Sequence, residues 1–362
     1  MRVLIIFNHP APYKVKAFNE LSKYCDLTVL FERTKAKDRP DSFYAGNDYK
    51  FKTIFLKDGY IGNEGTISNG PRNYIKNHHS EFDLIIMNGY SHVAEMKAIR
   101  YLSKHKIPFG LLINGGVVKE ESKLKKAFKT SLVNKANYYI SPSQESNKYL
   151  EYYGANPNKI YNYIYTNLSK EEIIDAPIKD KSELRKRFNL PLDKRIFINP
   201  CQFIDRKNNL QLLSLFVNRN DYLVLIGKGP EKEKYQKFIE ENNMNNVLIM
   251  DFVPKGQLFD LYKACDFHIT LSKQDIFGHT VLEAFANGLP VISSDKVISS
   301  LDHIKNGYNG YIVNLENNEE IVQRMNEISE SLSVNAIESA KNNTFENSAK
   351  SIYKVLGEVY GK

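Results

Sequence analysis

Two carboxylates stand eight residues apart in the stretch 271–294, LSKQDIFGHTVLEAFANGLPVISS. Asp275 lies on a predicted loop after an apolar strand, and Glu283 lies about one turn into a helix predicted from Thr280. Free backbone N–H groups at a helix start favour an anion or a polar ligand, and Gly278 permits close backbone approach. The spacing predicts that both carboxylates accept hydrogen bonds from the hydroxyl groups of one ligand. The alternative is that Asp275 only caps the helix and Glu283 faces solvent.

Two cations follow another predicted strand. In the segment PCQFIDRKN at 200–208, Gln202 comes first, and Arg206 and Lys207 come next. Cations fixed on a loop after a strand can stabilise negative charge on a ligand. The alternative interpretation is that both are solvated surface residues, and neighbouring residues do not share a face.

The sequence indicates neither a metal site nor a membrane span. It has no Asp-x-Asp motif and no His/Cys cluster with metal-ligand spacing, so we expect chemistry without a metal or another cofactor. Three scattered cysteines are too few for a disulfide framework, and no apolar run reaches the ~18 residues that span a bilayer. The chain starts on a strand rather than a secretory signal, and we expect a cytoplasmic location.

Short β-branched runs alternate with helical patterns along the chain, which is typical of parallel sheets. The fold class predicted is α/β, with two tandem doubly wound, Rossmann-like domains and ligands bound in a cleft between them. We predict a first domain over 1–172, a second domain over 173–343, and a C-terminal helix at 344–362 that packs back on the first domain. Two irregular stretches are expected: a loop with four glycines at 57–70, and the segment 161–177.

Four segments in register resemble the retaining glycosyltransferases of family 4, the group 1 glycosyl transferases with the GT-B fold. The acidic residue, Phe-Gly and VLEAFANGLPV of 271–294 resemble the family's E-x7-E segment. The others are the cationic loop at 200–208, the strand and turn LVLIGKGP at 223–230, and the segment 247–271. The resemblance is strong over 195–312 and weak over 1–170.

The resemblance implies a role for each matching residue. Lys207 would neutralise the pyrophosphate, Glu283 would bind the ribose hydroxyls, and Asp275 would contact the transferred sugar in place of a glutamate one methylene longer. Gln202 stands where relatives carry an arginine, and Arg206 is the alternative source of that charge. The remaining donor-site residues implied are Gly227, at the strand–turn, Val253 and Pro254, near the base, and Phe277, Gly278, His279 and Thr280, which would hold the sugar and the distal phosphate.

The first half carries the acceptor-side candidates. Loop 8–13 and the Asn114-Gly115-Gly116 turn follow predicted strands, and Asn114 can bond a hydroxyl but cannot act as a base. Tyr90 and His92 follow the strand at 83–88, where a structural role is the alternative for the histidine.

Positive charge is concentrated in the first half. Residues 1–170 hold 26 lysines and arginines against 15 acids, whereas residues 171–362 hold 24 against 27. The predicted helix at 120–137 has an apolar stripe and a basic face, which could contact an anionic membrane or solvent. That basic face contains Lys123, Lys125, Lys126 and Lys129.

The function implied is transfer of a sugar, with retention, from a nucleotide-sugar, preferably a UDP-sugar, to an acceptor hydroxyl of a glycan or lipid-linked acceptor in cell-surface polysaccharide synthesis. An epimerase of the same fold and a non-catalytic sugar-nucleotide binder are the alternatives. A nucleic-acid partner is not expected, because many of the 23 tyrosines lie within or beside strand patterns rather than in a basic stripe.

Overall fold

The computed structural model describes residues 1–36, 43–44, 46–56 and 68–361. These residues form two compact units. Unit 1 combines Met1–Asn167 with Thr344–Lys362, and unit 2 is Leu168–Asn343. The structural boundary thus lies slightly before the one we predicted after residue 172. The expected glycine loop falls mostly outside the described residues, because only its positions 68–70 are among them.

Unit 1 is built on a parallel sheet. In the described part of unit 1 its strand order is β3-β2-β1-β4-β5-β6-β7. The strands are β1 (Arg2–Phe7), β2 (Asp26–Phe31), β3 (Lys52–Phe55), β4 (Leu84–Asn88), β5 (Gly110–Leu112), β6 (Tyr138–Ser141) and β7 (Ile160–Asn162). The helices are α1 (Pro12–Leu21), α2 (Gly70–His78), α3 (Val93–Lys104), α4 (Lys123–Val133), α5 (Gln144–Tyr152) and, from the end of the chain, α14 (Phe345–Tyr360).

Unit 2 repeats this architecture. Over the residues described there, its parallel sheet has the order β10-β9-β8-β11-β12-β13. The strands are β8 (Ile196–Pro200), β9 (Tyr222–Ile226), β10 (Val247–Met250), β11 (Phe267–Thr270), β12 (Val291–Ser294) and β13 (Gly310–Val313). The helices are α6 (Ser182–Arg187), α7 (Asn209–Ser214), α8 (Lys232–Glu241), α9 (Lys255–Ala264), α10 (His279–Ala286), α11 (Ile298–His303), α12 (Asn318–Glu327) and α13 (Ser333–Lys341).

The central strands are apolar because helices cover both faces of each sheet. In β1, every residue after Arg2 is buried, and β9 is buried from Leu223 onward. The prediction of two doubly wound parallel sheets is therefore confirmed. The interpretation of 161–177 as wholly irregular was wrong at its start, because Tyr161 and Asn162 pair with Ile140 and Ser141 as the short edge strand β7.

Each sheet has one place where the strand order reverses. In unit 1 it lies between β1 and β4, and in unit 2 between β8 and β11. Helices on the two sides of such a point diverge to opposite faces of the sheet. A crevice therefore opens at the carboxyl ends of the two strands, where ligands bind in open α/β sheets.

Candidate functional site

The reversal point of unit 2 brings the predicted cations and one predicted carboxylate together. A 3₁₀ turn at Asp205–Lys207 follows β8, and the loop with Asp275 follows the neighbouring strand β11. Lys207 Nζ donates a hydrogen bond to Asp275 Oδ2. Arg206 lies on the same side, with a terminal guanidinium nitrogen 3.7 Å from Asp275 Oδ1. Arg206 thus lies beside Lys207 on the side of Asp275, which is the arrangement expected of a second cation.

The backbone fixes this cluster from both sides. The Arg206 guanidinium donates to the carbonyl of Gln274, and the Lys273 N–H donates to the carbonyl of Arg206 at 2.9 Å. The Asp275 N–H donates to the carbonyl oxygen of Lys296 at 3.0 Å, and Lys296 lies just before the start of α11. Both loops are therefore held by hydrogen bonds that do not depend on a ligand.

The charge state of Asp275 follows from these neighbours. Burial by itself would raise the pKa of Asp275, but the Lys207 ammonium and the Arg206 guanidinium outweigh burial and hold the pKa below its usual value. The side chains of Lys207 and Asp275 are only 13% and 17% exposed. The site therefore holds a largely desolvated ion pair with a second cation beside it, and an anionic ligand would meet two fixed cations there.

Gly227 brings the end of β9 against the loop that contains Gln202. A Cβ at Gly227 would lie 1.8 Å from the carbonyl oxygen of Cys201, so any side chain there would collide with backbone. Gln202 is exposed on this loop. It stands after β8, the strand that precedes the Lys207 turn, where it can donate to a ligand oxygen without adding charge.

Helix α10 begins at the sugar-side residues that the resemblance implies. Gly278 precedes it with φ +64°, and a Cβ there would lie 2.7 Å from Val297 Cγ1. The rings of Phe277 and His279 are in contact, with centroids 4.7 Å apart. The Phe277 N–H also lies 3.4 Å from Asp275 Oδ1, which connects the helix start to the ion pair.

Glu283 is buried in α10 and is only 8% exposed. The alternative interpretation, in which Glu283 lies on a solvated helix face, is therefore wrong. Burial raises the pKa of Tyr262, and the Glu283 carboxylate raises it further. The hydroxyl of that tyrosine lies 3.4 Å from the carbonyl oxygen of Thr280, so α9 supports the first turns of α10.

The end of β10 carries a residue that sequence reasoning missed. Val253 packs on the core, and Pro254 directly precedes α9. Phe252, which comes before both of them in the same loop, is 71% exposed. An exposed aromatic ring next to the residues implied to lie near the base is a candidate for stacking on that base. Its signal in the sequence was an aromatic residue two positions after the end of an apolar strand.

The reversal point of unit 1 forms a cavity of about 310 Å³. Asn8, after β1, and Tyr90 and His92, after β4, line it together with Asn114 and Tyr149. The predicted acceptor-side residues Tyr90, His92 and Asn114 therefore share one cavity. Asn114 Oδ1 accepts a hydrogen bond of 2.6 Å from Lys14 Nζ.

Lys14 is a buried cation that the sequence analysis did not single out. It is 6% exposed, and its Nζ lies 4.1 Å from the centroid of the Tyr165 ring. Burial lowers the pKa of Lys14 to about 7. The only signal in the sequence was a lysine at the start of a helix that is otherwise predicted to pack on the sheet.

His92 lies against two buried carboxylates. Its Nδ1 is 3.6 Å from Glu32 Oε2 and 3.7 Å from Glu95 Oε1. The nearby Glu32 carboxylate raises the pKa of His92, while burial together with the Glu32 charge raises the pKa of Glu95 to about 8. Each of the three offers a ligand atom within 4.8 Å of the others, so among the described residues this cluster could hold a metal ion. Sequence spacing could not reveal it, because the residues come from the ends of two strands and from α3.

Helix α4 is shorter and more exposed than predicted. Its Leu132 and Val133 are buried as expected, but Leu124 is 84% exposed and Phe128 is 41% exposed, so the apolar stripe does not pack on the sheet along its whole length. Two of its four lysines point back to the protein: Lys129 donates to Glu121 at 2.7 Å, and Lys126 lies 3.6 Å from the centre of the Tyr152 ring. In the part of the chain that the structure describes, no helix is long and apolar enough to cross a membrane.

Comparison with known proteins identifies the second half of the chain. The sequence profile of the family described as glycosyl transferases group 1 matches residues 180–345. The chain is 32% identical over 89 residues to a UDP-N-acetylglucosamine–peptide N-acetylglucosaminyltransferase GtfA subunit of Streptococcus agalactiae, a match over 25% of this chain and 17% of that protein. It is 26% identical over 147 residues to the O-antigen biosynthesis glycosyltransferase WclY of Escherichia coli, over 40% of each chain. Each match thus spans less than half of the relative's length.

The fold is shared over the whole chain. A crystal structure of Alr3699/HepE from Anabaena in complex with UDP superposes with a TM-score of 0.80, over 99% of this chain and 100% of that chain, at 16% identity. A lipopolysaccharide outer core galactosyltransferase, WaaB, superposes with a TM-score of 0.73 over 99% and 100%, also at 16% identity. The two units are therefore those of the GT-B fold, and residues 180–345 match the sequence profile of the glycosyl transferases group 1 family.

Proposed function

We propose that this protein is a glycosyltransferase that transfers a sugar from a nucleotide-sugar donor to an acceptor hydroxyl. The observation that carries the proposal is the cluster of Lys207, Arg206 and Asp275 at the reversal point of a sheet in the group 1 family region. Cations and a carboxylate side by side match the two ends of a sugar diphosphate, which carries anionic oxygens on the phosphates and hydroxyl groups on the sugar.

The chemistry rests on stabilisation of the leaving group. As the bond between the anomeric carbon and the phosphate oxygen breaks, negative charge grows on the nucleoside diphosphate. Lys207 and Arg206 are already fixed by hydrogen bonds, so they stabilise that charge without reorganising. The N–H groups at the start of α10 add donors of the same kind.

We propose that the donor is a UDP-sugar and that the reaction retains the anomeric configuration. The solved relative from Anabaena is a complex with UDP, and the streptococcal relatives are named for UDP-N-acetylglucosamine. Retention is the outcome that the resemblance to family 4 implies. In this assignment Glu283 binds the ribose hydroxyls, and Phe252, Val253 and Pro254 lie at the base.

We propose that the reaction needs no metal ion. Lys207 and Arg206 supply the positive charge at the diphosphate that a divalent cation supplies in other enzymes. The cluster of Glu32, His92 and Glu95 belongs to unit 1, whereas the diphosphate-binding residues belong to unit 2.

The acceptor is proposed to be a glycan or a lipid-linked glycan of the cell envelope, made on the cytoplasmic side of the membrane. WclY is named for O-antigen biosynthesis, and a further relative is named as a putative teichuronic acid biosynthesis glycosyltransferase from Bacillus subtilis. The exposed Leu124 and Phe128 beside Lys123 and Lys125 on α4 suit peripheral contact with an anionic membrane surface.

A thermal-shift series tests the donor site. The full chain is heated with UDP, GDP, ADP, TDP or CDP in EDTA, and then with the corresponding sugar nucleotides. A ligand at ~100 times its dissociation constant stabilises a folded protein by ~2.7 kcal/mol. We expect a shift with UDP and its sugars in EDTA. A shift only after Mn²⁺ is added would contradict metal independence, and no shift at all would contradict the donor site.

Product analysis separates the enzyme classes. With a UDP-sugar and an acceptor, a transferase releases UDP and forms a new glycoside. A sugar-nucleotide epimerase would instead convert the sugar without an acceptor, and a binding protein would stabilise the donor without turnover. NMR of the anomeric proton in the new glycoside then reads retention or inversion.

A further inference from the structure

Three side chains with metal-ligand chemistry converge in unit 1. Glu32 directly follows β2, His92 directly precedes α3, and Glu95 lies in the first turn of that helix. His92 Nδ1 is 3.6 Å from Glu32 Oε2 and 3.7 Å from Glu95 Oε1, and the three ligand atoms all lie within 4.8 Å of one another. One imidazole nitrogen and two carboxylate oxygens therefore surround one small volume.

The separations in this cluster are those of neighbouring metal ligands rather than of hydrogen-bond partners. A hydrogen bond from a ring nitrogen to a carboxylate oxygen is ~2.7–3.2 Å long, and both contacts of His92 Nδ1 are longer. This Nδ1 atom is buried and has no hydrogen-bond partner among the residues that the structure describes. With metal–ligand bonds of ~2.1 Å, two ligands of a tetrahedral ion are ~3.4 Å apart. A metal ion among the three atoms therefore supplies the partner that the histidine nitrogen lacks.

Both carboxylates of the cluster are withdrawn from water. Glu32 is 2% exposed and Glu95 is 3% exposed, and the His92 side chain between them is 14% exposed. Two carboxylates that share a site repel each other, and charges inside a protein are paired or coordinate a metal ion. A divalent cation bound by both carboxylates neutralises the two charges together.

The backbone orients two of the three ligands. The His92 N–H donates to Glu95 Oε2 at 3.0 Å, so the helix start holds that oxygen and Oε1 is the one near the His92 ring. The Glu32 N–H donates to the Phe7 carbonyl oxygen at 2.9 Å, which fixes the backbone at the end of β2. Hydrogen bonds to a ligating carboxylate set its orientation before the ion binds.

The donor set and its surroundings indicate which ion fits. His92 and Glu95 line the cavity of unit 1, which gives an ion a route to the cluster. Three protein ligands leave one position of a tetrahedral ion for water, as in open zinc sites. One imidazole with two carboxylates suits Zn²⁺ and, with lower affinity, Mn²⁺. Mg²⁺ and Ca²⁺ prefer six or more oxygen ligands.

We infer that Glu32, His92 and Glu95 form a binding site for one divalent transition-metal ion, and that this site binds Zn²⁺ more tightly than Mn²⁺ or Mg²⁺. The ion connects the end of β2 to the start of α3 and so stabilises unit 1. This role is separate from the proposed sugar transfer, in which Lys207 and Arg206 neutralise the diphosphate.

Metal binding to the full chain tests the site directly. The protein is stripped with EDTA, dialysed and titrated calorimetrically with Zn²⁺, Mn²⁺ or Mg²⁺, and the bound metal is counted after equilibrium dialysis. We expect one tightly bound Zn²⁺ per chain, at least tenfold weaker binding of Mn²⁺ and of Mg²⁺, and a higher melting temperature with Zn²⁺. The absence of stoichiometric Zn²⁺ binding, or equal affinity for Mg²⁺, would overturn the inference.

Two isosteric variants locate the bound ion. Glu32→Gln and Glu95→Gln each replace a charged ligand oxygen by a neutral one, and the second amide can still accept the His92 N–H. Both are expected to weaken Zn²⁺ binding at least tenfold. The matched control is His78→Gln, at a surface histidine beside Glu81, which should bind Zn²⁺ like the parent. Parent-like affinity in the two glutamate variants, or loss of the bound ion in the control, would overturn the inference.

A measurement on the parent protein keeps the test independent of whether the variants fold. The chain has eight histidines, and isotope labelling of their ring nitrogens shows by NMR which nitrogen coordinates an ion. We expect Zn²⁺ to shift the Nδ1 resonance of one ring whose Nε2 keeps its proton. Coordination through Nε2 alone, or no coordinated ring, would overturn the inference.

Discussion

The ammonium group of Lys207 is hydrogen-bonded to the carboxylate of Asp275, across the two loops that follow β8 and β11. In the proposed reaction both residues also have ligand partners: the diphosphate for Lys207 and the sugar hydroxyls for Asp275. A donor therefore inserts into an existing ion pair rather than into an empty site. The carboxylate keeps the lysine extended toward the place where the phosphate binds.

Replacing Lys207 is expected to affect turnover more than nucleotide binding. In Lys207→Met the leaving diphosphate loses a fixed cation, and the loss of one such donor typically lowers turnover by about 10²–10³-fold. Steady-state kinetics and UDP affinity are measured together. Lys273→Met, at a half-exposed lysine paired with Asp205, is the control. Unchanged turnover in Lys207→Met would remove this residue from the donor site.

Asp275→Asn tests the role of the carboxylate in the Lys207–Asp275 ion pair. The amide keeps the shape and can still accept a hydrogen bond from Lys207, but it no longer offsets the positive charge. We expect tighter binding of free UDP, because Lys207 and Arg206 then lack a carboxylate to neutralise them and attract the diphosphate more strongly. We also expect slower sugar transfer, because the sugar hydroxyls lose a charged hydrogen-bond acceptor. Weaker UDP binding together with normal transfer would contradict the assignment.

Glu283→Gln is expected to weaken UDP binding by ~1.5–3 kcal/mol, the range for a hydrogen bond to a charged group. The residue is buried in α10, so the isosteric amide is chosen to leave packing unchanged. Calorimetric titration compares UDP with deoxyuridine diphosphate, which lacks the 2′-hydroxyl. If Glu283 binds the ribose, the parent should prefer UDP and the variant should not distinguish the two. An equal preference in both proteins would refute the ribose role.

Phe252→Ala is expected to reduce nucleotide affinity without reducing stability. The ring is 71% exposed, so its removal leaves no cavity in the core. Loss of an aromatic ring stacked on a base costs ~1–3 kcal/mol. Melting temperature and UDP affinity are measured for this variant and for Val334→Ala, which removes another exposed apolar side chain. A fall in melting temperature with unchanged affinity would indicate that the ring has only a packing role.

Acidification is expected to destabilise unit 2 through His268. Burial lowers the pKa of His268 to about 3, whereas a histidine in the unfolded chain has a pKa near 6.5. Between these values the unfolded chain binds one more proton, so the free energy of unfolding falls as pH falls, by about 1.4 kcal/mol per unit well inside the window.

Urea unfolding at pH 7 and pH 5 measures this dependence. His268→Leu removes the titrating group and should flatten the slope by one proton. His105→Gln, at an exposed histidine, should leave the slope as in the parent. Equal slopes in His268→Leu and the parent would show that another group is responsible.

Contact of α4 with a membrane is expected to need its apolar residues as well as its charges. Leu124→Ser with Phe128→Ser should abolish sedimentation with vesicles that contain anionic lipid, as should the change of Lys123, Lys125, Lys126 and Lys129 to Glu. Neutral phosphatidylcholine vesicles are the control. Parent protein that stays in the supernatant with anionic vesicles would contradict the proposal.

Periodicity sufficed for most of the fold. The strand predicted in the segment 223–230 is β9, and it was recognisable because a buried parallel strand is a short, continuous apolar run. It did not reveal β7, whose residues Ile160–Asn162 lie at a sheet edge and alternate too little to stand out. It also overestimated the packing of α4, because an apolar stripe shows that a face could be buried but not what covers it.

The loop and helix start that contain Asp275 were predictable from the sequence, whereas the cavity of unit 1 was not. Asp275, Gly278 and Glu283 lie in one segment, so their spacing carried the information. Lys14, Glu32 and Glu95 are separated along the chain, and only the sheet order brings the ends of their elements together. Sites assembled from several strand ends remain invisible to local patterns even when each strand is correctly predicted.

Unit 1 is built from two separate stretches of the chain, and this affects the order in which its parts are synthesised. Helix α14 contributes Phe345, Ile352 and Leu356 to the buried interior of a unit whose sheet ends at Asn162. During translation, the sheet of unit 1 therefore leaves the ribosome well before its last helix, whereas unit 2 is made from one continuous stretch. Unit 2 therefore has all its elements without α14, whereas unit 1 without it lacks a packing partner for α1, so a protein truncated after residue 343 should keep a protease-resistant second unit and a protease-sensitive first one.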